Sequence, residues 1–349
     1  MFYSLLKPLL FALPPERAHD LTIQMARLSP ALGKASGCEL DVRLAVNVGQ
    51  NRWGFPVGLA AGLDKNCEAL NFLSHQGFGS LECGTITLKP QEGNPKPRLF
   101  RYPQEESLRN AMGFPNHGLL AMLPRLKLFE KNIPLGANIG KNKDTTALES
   151  IDELNILFES LQSEVDYFVI NVSSPNTPGL RAMQEKAYLL ELFTTLNQNR
   201  SKDLFLKIAP DLETSKVIEL AHLAAECGLT GLMATNTTIM PERGAGGVSG
   251  RLLTKRAQSI QSIILNEKLP IEVIGVGGIS ETSDLFDFWA MGGKACEVYT
   301  GYVYQGPSLL KKMKKDVLKF LAQQKLKDLD SFFALPLLDR QESLREFRE

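Results

Sequence analysis

"YFVINVSSPN", Tyr167 to Asn176, sets an unbroken apolar run against an abrupt change to amides, hydroxyls and proline. A short apolar run without polar alternation is the pattern of a strand covered on both faces, as in a parallel sheet. The same grammar ends seven further runs: "VGLAAGLDKN" (57–66), "SLECGTITLKP" (80–90), "PLGANIGKN" (134–142), "LFLKIAPD" (204–211), "GLMATNTT" (231–238), "EVIGVGGIS" (272–280) and "CEVYTG" (296–301). Helical stretches such as "KAYLLELFTTLNQNR" (186–200) and "SKVIELAHLAAECG" (215–228) separate them. From Ala61 to Thr300 the units recur about every 34 residues, the length of a βα unit. Eight such units predict an α/β fold of the (β/α)8 TIM-barrel type, with a doubly wound open sheet as the competing arrangement.

In a barrel, residues that follow the strands gather on one face, where such folds keep their active sites. Here they read Ala61, Gly62, Lys65, Thr85, Asn138, Asn171, Ser174, Asn176, Lys207, Thr235, Asn236, Thr237, Gly278, Tyr299 and Thr300. Amides, hydroxyls and lysines dominate. Paired acids for glycoside hydrolysis and a histidine-based triad are both missing. The set suits a polar planar ligand, with lysines facing its electron-rich atoms. Glycines in "VGGIS" and "YTGYVYQGP" follow the last two strands, where barrels commonly bind phosphate. Two connections, about 90–133 and 238–270, are long enough to act as lids; they carry "NAMGFPNHG" (110–118) and "ERGAGGVSGR" (242–251).

Three segments are expected: an amphipathic helical extension over 1–40, the barrel over 41–325 and a C-terminal tail over 326–349. In the extension, Phe2, Leu5, Leu6, Leu9, Leu10 and Leu13 share a helical face. If Ser4 caps this helix, Pro8 falls in or just past its first turn, while Pro14 and Pro15 end it and start a second helix to Leu28. Lys7, Arg17 and Arg27 roughly balance Glu16 and Asp20, so membrane attachment would rest on apolar burial. A helical plug on the barrel is the plainer alternative.

Composition excludes other classes. Lysine and arginine total 39, as do aspartate and glutamate, which leaves no electrostatic pull toward nucleic acid. The 5 cysteines form no CxxC pair, so reduced thiols are expected and no metal site. No apolar run spans a bilayer, and the start lacks a basic cluster and a cleavage site.

The ordered motifs "AAGLDKN", "NAMGFPNHG", "GANIGKNK", "INVSSPNTPGLR", "FLKIAPD", "ATNTT", "GGVSGR", "VGGI" and "VYTG", with "PPERAHDLT" near the start, span about residues 1–320. Together they resemble the dihydroorotate dehydrogenase family, in its class 2, quinone-dependent branch. The resemblance implies an FMN enzyme that oxidises dihydroorotate to orotate in pyrimidine synthesis, with Ser174 as the base for the C5 proton, relayed through water or Thr177. It assigns Lys65, Asn110, Ala111, Met112, Gly113, Phe114, Asn171, Asn176, Asn236 and Thr237 to the substrate. FMN would be held by Ala60, Ala61, Gly62, Lys65, Thr85, Asn138, Asn171, Lys207, Thr235, Gly250, Gly278, Tyr299 and Thr300. Class 1 relatives carry cysteine at the base position and lack the extension, so Ser174 and residues 1–40 point to a quinone as acceptor. A peripheral position on the cytoplasmic side of the inner membrane is implied, with no obligate protein partner. His19 and His117 are read as structural, and Arg98 and Arg101 as bracing the lid or solvating a loop. Pro115, Lys294, Cys296 and the segment Asp330–Glu349 depart from the family pattern. A related flavin barrel with a soluble acceptor or another dihydropyrimidine, and a non-catalytic phosphate-binding scaffold at the membrane, are the alternatives.

Overall fold

The computed structural model describes residues 2–37, 40–177 and 179–348. A short hairpin, β1 (Val46–Val48) and β2 (Asn51–Trp53), precedes the first barrel strand, β3 (Val57–Leu59). The remaining strands in chain order are β4 (Leu81–Ile86), β5 (Leu99–Tyr102), β6 (Ser107–Asn110), β7 (Leu135–Ile139), β8 (Tyr167–Asn171), β9 (Asp203–Ile208), β10 (Gly231–Ala234), β11 (Thr238–Ile239), β12 (Gly247–Gly250), β13 (Glu272–Val276) and β14 (Cys296–Val298). Strands β3, β4, β7, β8, β9, β10, β13 and β14 pair in that order and close into a parallel barrel, which excludes the open sheet. Each apolar run of the repeated grammar supplies one barrel strand. Their burial on both faces explains why the runs lack alternation.

Aromatic rings fill the amino end of the barrel. Trp53 from the hairpin lies against Tyr167, and Tyr167 meets Phe205 edge-on at 6.0 Å. Gly136 makes room for this layer: a Cβ there would sit 2.1 Å from the Tyr167 ring. The hairpin is pinned by Asp203, which accepts from Gln50 N and Asn51 Nδ2. At the opposite end, the two long connections do more than loop. Strands β5, β6, β12 and β11 form a four-stranded antiparallel sheet across the barrel mouth, with Asn110 paired to both Leu99 and Gly247.

Three helices precede the barrel: α1 (Phe2–Ala12), α2 (Pro15–Leu28) and α3 (Pro30–Ser36). The expected cap at Ser4 is not there, because the helix already begins at Phe2; Pro8 therefore lies in its interior. The side chains of Phe2 and Ser4 lie outside the described residues, as do Cys38 and Pro178. Pro15 starts α2 as expected, where its missing N–H costs no hydrogen bond. The expected single apolar face of α1 divides: Leu6, Leu10 and Phe11 are partly covered, with Phe11 edge-on to Tyr304, while Leu5 and Leu9 face outward. The chain's end is packed on the barrel. Phe332 and Phe347, from helices Leu329–Phe333 and Leu337–Arg348, contact Trp289, Phe286 and Phe320.

Candidate active site

A cavity of about 1270 Å³, counting its space open to solvent, occupies the carboxyl end of the barrel under the four-stranded sheet. Of the base, substrate and cofactor residues assigned from sequence, all but Ala111 and Asn138 line it. Ala111 contributes only backbone bonds, to Arg98 O and from Asn94 Nδ2. Asn138 lies one layer deeper and supports the lining from below.

The amides form two hydrogen-bonded groups. Asn138 Oδ1 accepts from Thr85 Oγ1 at 2.5 Å and from Asn171 Nδ2 at 3.1 Å. Asn171 Oδ1 in turn accepts from Ser173 Oγ and from Asn236 Nδ2, each at 3.2 Å. On the other side of the mouth, Asn176 Nδ2 donates to Asn110 Oδ1 at 2.9 Å. Strand ends thus hold four asparagines around one opening, and Ser174, buried at 5% exposure, lies among them. Its Oγ accepts from Asn176 N at 3.2 Å. Thr177 Oγ1, expected as a proton relay, is buried and has no partner among the described residues.

Two lysines flank the opening. Lys65 is desolvated, which lowers its pKa to about 8 against the opposing pull of Asp20 and Glu16. His19, read from sequence as structural, faces it from α2 with Nε2 3.4 Å from Lys65 Nζ. Burial and then the Lys65 charge hold His19 well below the usual imidazole range, so it is neutral at pH 7 and can accept from the ammonium. Lys207, which sequence reasoning held too costly to bury without an anion, has one: Glu82, at 3.3 and 3.4 Å. That partner was legible as an acid inside the apolar run "SLECGTI", and so was Glu297 in "CEVYTG".

Several braces hold the opening in shape. Arg181 donates to Ser173 O and Thr237 O and pairs with Asp211 at 2.9 Å, tying the two substrate-side loops together. Arg98 bonds the carbonyls of Glu92 and Asn94 and pairs with Glu16 of α2, so it braces the loop beneath the lid, as expected. Arg101 instead caps α1, donating to the carbonyls of Leu10, Phe11 and Leu13. His117 contacts Arg125 away from the cavity.

The cavity fits a flavin by its own chemistry. Gly250, Gly277, Gly278, Ser280 and Gly301 line one end, and a Cβ at Gly62 would meet only the Tyr299 ring, 3.5 Å away across open space. Among the described residues no group of histidines, cysteines and acids could hold a metal ion.

Comparison with known proteins agrees with this geometry. The family model for dihydroorotate dehydrogenase matches residues 43–321. A quinone dihydroorotate dehydrogenase of Christiangramia forsetii is 39% identical over 91% of this chain and 99% of its own, and that of Nitrosospira multiformis is 42% identical over 89% and 94%. The crystal structure of DHODH from Eimeria tenella in complex with ferulenol superposes with a TM-score of 0.81 at 33% identity, covering 93% of this chain and 94% of that one. This chain is a member of the dihydroorotate dehydrogenase family, and both of these relatives are named as quinone dihydroorotate dehydrogenases.

Proposed function

We propose that the protein oxidises dihydroorotate to orotate and passes the electron pair to a quinone at a membrane surface, with FMN held in the barrel mouth. The observation that carries this reading is one cavity lined by Ser174, by Asn110, Asn171, Asn176 and Asn236, by Lys65 and Lys207, and by glycines that suit a phosphate. When bound, FMN accepts the C6 hydride. The protein's part is to fix the pyrimidine and to take the C5 proton. Asn110, Asn171, Asn176 and Asn236, with Thr237, present donors and acceptors for the ring edge, and Lys65 faces the substrate carboxylate. Met112, Gly113 and Phe114 close over the opening, held by Gln91 Nε2, which donates to the carbonyls of Gly113 and Phe114. Ser174 Oγ removes the C5 proton as the C5–C6 double bond forms. A serine hydroxyl is a weak base, so its own proton leaves to water or to the free hydroxyl of Thr177. Lys207 places positive charge where the reduced cofactor becomes negative.

The quinone is proposed to approach along α1 and α2, whose leucines face outward, from the cytoplasmic side of the inner membrane. No helix among the described residues is long and apolar enough to cross a membrane, so attachment would be peripheral. Steady-state assays test the acceptor: dihydroorotate oxidation should proceed with a short-chain ubiquinone and depend on vesicles or detergent. Turnover with fumarate or NAD but not with quinone would contradict the reading.

A further inference from the structure

Two carboxyl groups stand in the barrel interior near Lys207. Glu82, from β4, has a fully buried side chain and pairs with Lys207, while Asn138 Nδ2 donates to its Oε1. Glu297, from β14, is 1% exposed and lines the cavity itself. Tyr167, from β8, donates to Glu297 Oε1 at 3.4 Å. The other oxygen, Oε2, is buried and meets no donor among the described residues. The same Tyr167 hydroxyl reaches Leu81 O, next to Glu82, at 3.2 Å, and Glu82, Lys207 and Tyr167 are the titratable groups that act on Glu297.

Two ionised carboxylates here would leave a second buried anion with a phenol as its donor, which is far costlier than one shared proton. Burial and then the Glu82 charge push the Glu297 carboxyl well above the usual range. Glu82 goes the other way: burial raises it, but Lys207 and its hydrogen bonds outweigh that, and it stays below the usual range. Tyr167, raised well above its ordinary value by burial and by Glu297, stays a neutral donor.

The position of this pair matters because Lys207, which holds Glu82, also lines the cavity. We propose that Glu82 and Glu297 share a single proton, so that the pair carries one negative charge opposite Lys207, and that this charge is a determinant of the reduction potential of the bound flavin. Glu297 is then a positioning residue for charge, which prevents Lys207 from being over-neutralised. The inference rests on the reading that FMN occupies the cavity.

A shared proton makes a distinctive demand. Removing either acid leaves the other to carry the one charge, so Glu82→Gln and Glu297→Gln should each shift the flavin potential little. The double variant leaves Lys207 unopposed and should favour the reduced flavin by about tenfold or more in the two-electron equilibrium, the scale of one unmatched charge at an effective dielectric near 20. Two independently ionised acids would instead give single shifts that add up to the double. Spectroelectrochemical titration of the three variants and the wild-type holoprotein reads this directly. The wild-type protein alone supplies a second readout: its reduced-minus-oxidised infrared spectrum should show the C=O stretch of a protonated carboxyl, and Glu297→Gln should abolish it. Additive shifts, or no such band in the wild type, overturn the inference while leaving the flavin reading intact; a protein that binds no flavin overturns both.

Discussion

The barrel and the helical layer in front of it treat the same residue type in opposite ways. In the barrel, Leu59, Leu81, Leu135, Leu204, Leu206 and Leu232 are at most 1% exposed. In the layer formed by α1, α2 and α3, Leu5 is 74%, Leu9 69% and Leu28 77% exposed, with Leu21, Met25 and Leu32 exposed beside them. Both regions are leucine-rich, so composition does not separate them; what differs is the medium each side chain meets. The barrel completes its own core. The helices leave their leucines uncovered, and in the proposed function a lipid surface bearing the quinone would cover them.

The comparison can be broken at either region. The largest effect is expected in the barrel: Lys207→Met strands the Glu82 carboxylate without its cation, at about 3–5 kcal/mol for a buried pair with one partner removed. Thermal unfolding should show the loss, and adding Glu82→Gln should restore much of it. At the helical layer, replacing Leu5 and Leu9 by serine should leave the melting temperature nearly unchanged and weaken vesicle binding by about a hundredfold or more, from ~1.5 kcal/mol or more per leucine buried. A large stability loss with unchanged vesicle binding would instead make α1 a plug on the barrel.

Smaller effects sharpen the account of the site. Arg181→Gln removes the brace between the Ser173 and Thr237 carbonyls and should lower kcat by about 10- to 100-fold through misplacement, with the flavin spectrum intact. The smallest effect is a pH dependence. Lys65 is charged below its depressed pKa of about 8 and loses that charge as pH rises through it, so KM for dihydroorotate should climb above pH 8 while staying flat below it. Lys65→Met should raise KM at all pH values and remove the climb.

The contrast also shows what was legible in the sequence. The barrel strands could be read because burial on both faces forces uninterrupted apolar runs, and their polar ends had to converge at one mouth. The strand-end lining residues followed from that one rule, whereas Asn110, Met112, Gly113, Phe114 and Gly250, on the long connections, came only from the family resemblance. The hairpin carrying Trp53 and the sheet built from β5, β6, β11 and β12 were not legible, since short strands in loops have no period of their own and pair only once the barrel brings them together. His19 is separated from Lys65 by 46 residues and a helix, so only tertiary packing could reveal the contact. The acids Glu82 and Glu297 were visible as charges within apolar runs, but that both stand in the barrel interior depends on the closure of β14 back toward β3 and β4.

The central claim is that Ser174 takes the C5 proton in a flavin-loaded barrel. Anaerobic mixing of the purified protein with dihydroorotate, followed in the visible flavin band, tests it most directly. The wild type should bleach fully without any quinone present, and Ser174→Ala, equally yellow at the start, should bleach about 10²- to 10⁴-fold more slowly, the usual contribution of a general base. Equal bleaching rates in the two proteins, or a wild type that dihydroorotate leaves yellow, would contradict the account.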